Sequence, residues 1–411
     1  MHIQPILAAL RRHKAGTILI ALQIALTLAI VCNALFIIHQ RLAHMDEPSG
    51  VDEANLFVIS NLWGAQYSTP ELVERIKEDV ATLRQVPGVQ DVTASNQYPL
   101  EAGGSWDNFI TLTPDQRVKT TDASYFTGDA NFLSTLGVKL IAGRDFRPDE
   151  IQNRGMREKI ISPVAIISKA MADKLFPHGD ALGKTFYAMT SDPITIIGIV
   201  DVLHRADVST WSATYYGESM VVPIRIAEPW GGYYIVRARP GQLDAAMRAA
   251  PKALYAQNRM RMIDPKDGLL SFAEVRRRAF ERDRGMAILM SIICAVLLAI
   301  TAAGIVGLTS FWVGQRRKQI GVRRALGATH GDILRYFMTE NLLISLGGVV
   351  IGVLLTFGLN LWLVTRFTLN VLPAAYVAGG VAMLLLLGQG AVFAPALRAS
   401  RVPPIEATRP V

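Results

Sequence analysis

The chain has 411 residues, 51% of them hydrophobic and only 18% charged, with a formal net charge of +8. That balance excludes an ordinary soluble globule and indicates a membrane protein carrying a polar part, long enough for two or three domains. The charge does not indicate a nucleic-acid partner: residues 39–284 hold 29 basic and 31 acidic side chains, so the surplus sits at the ends of apolar runs, as membrane topology requires.

Residues 1–14 carry Arg11, Arg12 and Lys14 and read as a cytoplasmic N-terminus, followed by an uncharged run at 15–38. The run exceeds the apolar core of a signal peptide and ends in His39, Gln40 and Arg41, so it reads as an uncleaved first membrane helix. Gln23 and Asn33 within it bond either to another helix or to their own backbone and the headgroups. From residue 39 to 284 the character changes to mixed polarity. Strand-like runs occur at 56–60, 89–93, 163–167, 194–200, 220–224 and 233–239. From Pro70, ELVERIKEDVATLRQV places Leu72, Ile76, Val80 and Leu83 at helical spacing. The expectation is an α+β extracytoplasmic domain of two lobes, inserted between the first and second membrane helices. Cys32 and Cys294 both lie in apolar runs, so this domain depends on its own core and not on disulfides. Arg276, Arg277, Arg278, Arg282 and Arg284 read as a solvated stalk, with Glu281 and Asp283 as available partners.

Residues 285–314 contain no charge, more than the ~20 residues a bilayer needs, and predict a tilted second membrane helix. The segment 315–341 then delivers Arg316, Arg317, Lys318, Arg323, Arg324 and Arg335 to one side, which the positive-inside rule assigns to the cytoplasm. Ile320, Val322, Ala325 and Leu326 can share a face of a short helix that Gly327 is free to leave, and Thr329 with Asp332 caps the next helix. On these residues alone the segment is either a loop that fixes orientation or a docking element for a soluble partner. A third span follows at 342–364, where Gly348 and Gly352 form a small-xxx-small pair for close helix packing. A short external loop at 365–375, a fourth span at 376–393 and a basic, proline-broken cytoplasmic tail at 394–411 complete the chain.

The stretch IGVRRALGATHGDILRYFMTENLLISLGGVVIGVLL resembles the signature region of the FtsX/MacB-type permeases, the membrane subunits of a class of ABC systems. The matching positions are Ile320, Gly321, Arg323, Arg324, Ala325, Leu326, Gly327, Ala328 and Glu340; Gln319 departs, standing where the family carries an acid. FLSTLGVKLIAGRDF, PVAIISKAMADKLFPHGDALGKTF and ITIIGIVDV are similar to the family's extracytoplasmic domain, while residues 100–129 and 203–230 match it least. The resemblance implies a coupling helix at 320–328 held in a groove of an ABC ATPase subunit. It further implies two ATPase copies that bind ATP and Mg, and a second permease protomer, a homodimer in preference to a heterodimer. The location would be the bacterial inner membrane, with residues 39–284 in the periplasm. The activity would be expulsion of an amphiphilic peptide, macrolide, siderophore or lipoprotein, with a periplasmic adaptor and an outer-membrane channel as further partners. Its alternative is a non-transporting, FtsX-like transducer that controls a periplasmic enzyme.

Chemistry of the chain's own is not expected. The nearest approach to a phosphate-binding loop, Gly179 to Thr185, is one residue too short and reads as a turn. The seven histidines are scattered without metal-ligand spacing. No charge lies inside a span, which argues against an ion path. No catalytic, cofactor or metal residue is therefore assigned, and the chain is expected to be a non-catalytic subunit.

Overall fold

A computed structural model describes residues 14–401 except 102, 104, 105, 156, 157, 159, 160, 189, 190, 209–216 and 368–370. The basic start at 1–13, part of the 365–375 loop and the end of the tail lie outside the described residues. The chain divides into two compact units, one from Glu47–Arg282 and one from the two flanking stretches. The first element, helix α1 (Lys14–Met45), belongs to the flanking unit.

The α/β unit runs β1 (Leu56–Trp63), α2 (Thr69–Arg84), β2 (Val89–Ser95), β3 (Asp107–Thr111), β4 (Thr121–Thr127), α3 (Phe132–Leu136), β5 (Leu140–Gly143), β6 (Gln152–Gly155), β7 (Val164–Ser168) and α4 (Lys169–Leu175). It continues through β8 (Thr185–Ala188), β9 (Pro193–Val200), β10 (Ser219–Val222), β11 (Ile224–Ala227), β12 (Gly231–Ala238), α5 (Leu243–Gln257), β13 (Arg261–Met262), β14 (Leu269–Ser271) and α6 (Phe272–Ala279). Helix α2 begins where Ser68 and Glu71 form a capping box, with the Ser68 amide donating to Glu71 Oε2 at 2.8 Å. Its apolar face packs with α5 on an antiparallel sheet ordered β13–β1–β12–β2, with β14 also on β1. Beneath it, Arg261 forms two bonds to Asp79 at 2.8 Å and Tyr234 donates to Asp79 at 2.5 Å, a buried triad joining α2, β12 and β13.

The second sheet is ordered β5–β9–β7–β10–β4–β3–β8, and β8 returns to pair with β9, so six strands close on themselves. Its interior is a separate core in which Ile110, Tyr125, Ile167, Phe186, Ile196 and Met220 pack with α4. All of its strands fall between β2 and β12 in sequence, so this sheet is an insertion into the first. The run at 220–224 is not one strand. Pro223 lacks the amide a ladder needs and divides it into β10, which pairs with β4 and β7, and β11, which pairs with β6.

The helical unit completes α1 with α7 (Glu281–Gln315), α8 (Arg317–Ala325), α9 (His330–Phe367) and α10 (Ala374–Ser400). Four of these, all but α8, are long and apolar enough to cross a membrane. Each extends past the uncharged run that predicts it, because helical hydrogen bonding continues where hydrocarbon ends. The clearest case is α9, which starts twelve residues before 342, so the third span and the second half of the basic segment are one helix. The hub is α1, the most buried of the four. A Cβ on Gly348 would lie 2.7 Å from the Ala21 carbonyl oxygen, and one on Gly352 would lie 3.0 Å from Ala25 Cα, so these two glycines of α9 close against α1. Gln23 donates to the Ile300 carbonyl of α7 at 3.1 Å, and the Thr27 and Thr301 hydroxyls meet at 2.8 Å. Asn33 donates both to its own helix at Ala29 and to α9 at Thr356, at 2.9 and 3.2 Å. Asp283 pairs with Arg41 of α1 and not with the arginine cluster; Arg276 pairs with Glu53, and Arg277 and Arg278 pair with Glu274.

Candidate functional site

The basic segment folds as a short helix between two long ones. At its end Gly327 takes φ +98°, with its amide donating to Arg324 O at 3.1 Å and the Ala328 amide to Arg323 O at 3.0 Å. These two bonds form a Schellman motif, which fixes the exit angle and needs a residue tolerant of positive φ. Two residues on, Asp332 accepts from the Thr329 amide at 3.0 Å and hydroxyl at 2.6 Å, while its own amide donates to Thr329 Oγ1 at 3.2 Å. Helix α9 therefore starts with a reciprocal cap, and the turn between α8 and α9 is determined on both sides.

The four apolar residues of α8 do not share a face. At about 100° per residue, Val322, Ala325 and Leu326 fall within one 100° arc and Ile320 falls nearly opposite it. Ile320 is buried in the core of the helical unit with Ile333 and Phe337, and Gly321 is buried beside it. Val322, Ala325 and Leu326 are exposed, Leu326 at 83%. The arginines also diverge: Arg323 lies over the Tyr336 ring at 5.0 Å, and Arg324 meets His330 at 3.1 Å. Ala328 is half-buried. One element thus has an inward anchor and an outward apolar patch surrounded by positive charge.

What holds α8 against the long helices is an ion pair that the sequence reading did not assign. Arg316, just before α8, donates from Nη1 to both carboxylate oxygens of Glu340 at 2.9 and 3.0 Å, with side-chain exposures of 11% and 3%. An arginine just beyond one apolar run and a glutamate just before the next lie at the same depth, and that was the available signal. Between α8 and the first turns of α9 lies a groove of about 410 Å³ with Arg316, Gln319, Arg323, Arg335 and Tyr336 in its walls. Gln319, exposed at this groove, contributes no negative charge to it. The loop at Gly179–Thr185 is a turn between α4 and β8, and Lys184 pairs with Asp180 there.

Four helices long and apolar enough to cross a membrane, a separate α/β unit, and a capped basic helix between the second and third long helices define a polytopic permease architecture. Residues 17–254, more than half of the chain, match the MacB-like periplasmic core domain, and residues 291–404 match the FtsX-like permease C-terminal region. The chain belongs to this MacB-like, FtsX-like family of ABC transporter permeases, and its α/β unit is the periplasmic domain of a multi-pass membrane protein. It is similar to the Macrolide export ATP-binding/permease protein MacB of Chromobacterium violaceum, at 26% identity over 78% of this chain and 49% of that protein. It is also similar to the Uncharacterized ABC transporter permease YvrN of Bacillus subtilis, at 22% identity over 92% of this chain and 86% of that one. The chain spans about half the length of the MacB proteins it matches. Among solved structures, the periplasmic region of MacB from Actinobacillus actinomycetemcomitans aligns at 12% identity and a TM-score of 0.35, covering 57% of this chain and 97% of that one.

Proposed function

We propose that this chain is the permease of a MacB-like ABC exporter in the bacterial inner membrane, in which ATPase subunits engage α8 and the resulting stroke drives expulsion of an amphiphilic substrate by the periplasmic domain. The observation that carries the reading is the outward face of Val322, Ala325 and Leu326 on a helix whose other side is anchored by Ile320 and the Arg316–Glu340 pair. Exposed apolar side chains between arginines suit a protein interface, and a helix fixed at both ends passes force on instead of absorbing it. Helix α7 continues by chain from the periplasmic domain to α8 and is the route for that stroke. In this reading ATP and Mg belong to the ATPase that engages α8. Binding energy from ATPase closure shifts the balance between two arrangements of the permease. In the same reading the periplasmic domain consists of two lobes, one on each of its two cores, and two permease protomers complete the unit.

The test is copurification. Val322→Asp with Leu326→Asp changes only exposed side chains, and the double variant is expected to lose its ATPase while keeping its melting temperature. Undiminished copurification would remove the docking role. In a deletion strain, intracellular accumulation of the substrate supports export; a cell-wall hydrolysis defect without accumulation assigns the chain to signalling instead.

A further inference from the structure

The groove between α8 and α9 is not used by the proposed docking face, which lies roughly a third of a turn around α8 from the groove-lining Arg316, Gln319, Ile320 and Arg323. Three observations identify its occupant. The first is charge. Arg316 is neutralised by Glu340, so Arg323 and Arg335 face a single wall carboxylate, Asp332, which already caps α9. The groove keeps a positive surplus in a planar, fork-shaped donor set suited to phosphate oxygens. The second is depth. The third apolar run begins at Leu342, so at 1.5 Å per residue Phe337 and Arg335 lie about 7 and 10 Å outside the hydrocarbon. The headgroup layer spans roughly 5–8 Å on each side, so Phe337 lies at its outer edge and Tyr336 and Arg335 just beyond it, where a phospholipid phosphate is within reach of a long arginine side chain. The third is continuity. At about 100° per residue, Arg335, Leu342, Leu346, Val350 and Phe357 fall on one stripe of α9, and all four apolar members are exposed.

We propose that this groove binds one anionic phospholipid, with its phosphate between Arg323 and Arg335 and an acyl chain laid along Leu342, Leu346 and Val350. Arg323, held on the Tyr336 ring, donates from α8, and Arg335 donates from α9. The lipid bridges the two helices and restrains α8 in the orientation that presents its outer face. This goes beyond the docking reading, and its residues are separable from those tested there.

The test is native mass spectrometry of the full chain in detergent, titrated with phosphatidylglycerol or phosphatidylcholine. The wild type is expected to retain one phosphatidylglycerol in preference to phosphatidylcholine. Arg323→Gln with Arg335→Gln is expected to weaken phosphatidylglycerol retention about tenfold and leave phosphatidylcholine unchanged. Arg317→Gln with Lys318→Gln removes the same charge outside the groove and is expected to behave as the wild type. Arg335→Gln alone changes only an exposed side chain, so a several-fold loss is expected even if the double variant does not fold. Equal retention by the wild type and Arg335→Gln overturns the proposal. Displacement of the lipid by millimolar inorganic phosphate also overturns it, because the acyl stripe would then contribute nothing. If the double variant loses the ATPase but keeps the lipid, the groove belongs to an acidic protein partner.

Discussion

Glu340→Gln leaves the Arg316 guanidinium buried without its counter-charge. Both carboxylate oxygens accept from Arg316 at 2.9 and 3.0 Å, and the carboxylate side chain is only 3% exposed. Removing one partner of such a pair costs about 3–5 kcal/mol, whereas replacing both with apolar residues of similar volume is close to neutral. For a unit of this size each kcal/mol moves the melting temperature by about 2–4 °C, so a loss of roughly 10 °C is expected. The assay can be confined to the helical unit, because Cys32 and Cys294, the chain's two cysteines, are both buried there. A dye that fluoresces on reacting with thiols reports the melting of that unit alone. Glu340→Gln should melt early, and Arg316→Met with Glu340→Leu should recover most of the loss. Wild-type melting of the single variant, or a double variant as unstable as the single, would refute the assignment of this pair as the anchor of α8.

Gly348→Leu should separate α9 from α1 and lower the same thiol-dye melt by an overpacking cost of about 1–3 kcal/mol, since a Cβ there already meets the Ala21 oxygen at 2.7 Å. Gly347→Ala, which enters open space, should leave the melt unchanged; equal effects of the two would remove the packing argument. Gly327→Ala should weaken ATPase copurification without a packing clash, because its Cβ meets nothing within 4 Å and the cost of about 1–2 kcal/mol comes from φ +98° alone. In the periplasmic domain, burial raises the carboxyls of Glu101 and Glu228 from the ordinary 4.5 to about 7, against the hydrogen bond that Tyr233 donates to Glu101. Between those two values the unfolded chain ionises while the folded chain keeps its protons, so stability falls as pH rises through that window and levels off above about 7. The urea midpoint of the full chain, followed by tryptophan fluorescence, should therefore be higher at pH 5 than at pH 8, and Glu101→Gln with Glu228→Gln should flatten the difference. A midpoint that rises with pH would show that these groups are ionised in the fold.

Features that rest on a few neighbouring residues were legible before the fold. Four uncharged runs long enough for a bilayer became four long helices, and the Thr329–Asp332 box and the Gly327 turn formed as their spacing indicates. Gly348 and Gly352 announced a close helix approach without naming the helix. Periodicity also located the six strand-like runs, apart from the break at Pro223, because alternation and β-branching are local signals.

Tertiary structure alone decided the pairings. It made α1 the hub, closed the second sheet by returning β8 to β9, and joined Asp283 to Arg41 and Arg316 to Glu340. It also chose which side of α8 faces the core, burying Ile320 and leaving Leu326 outward, where helical spacing only sets the two on different sides. The physical reason is one of range. Solvent preference and backbone propensity are written residue by residue, so lengths, caps and turns follow from composition and spacing. Partner, register and facing side depend on which distant surfaces exclude water from each other, and that is settled only when the chain packs.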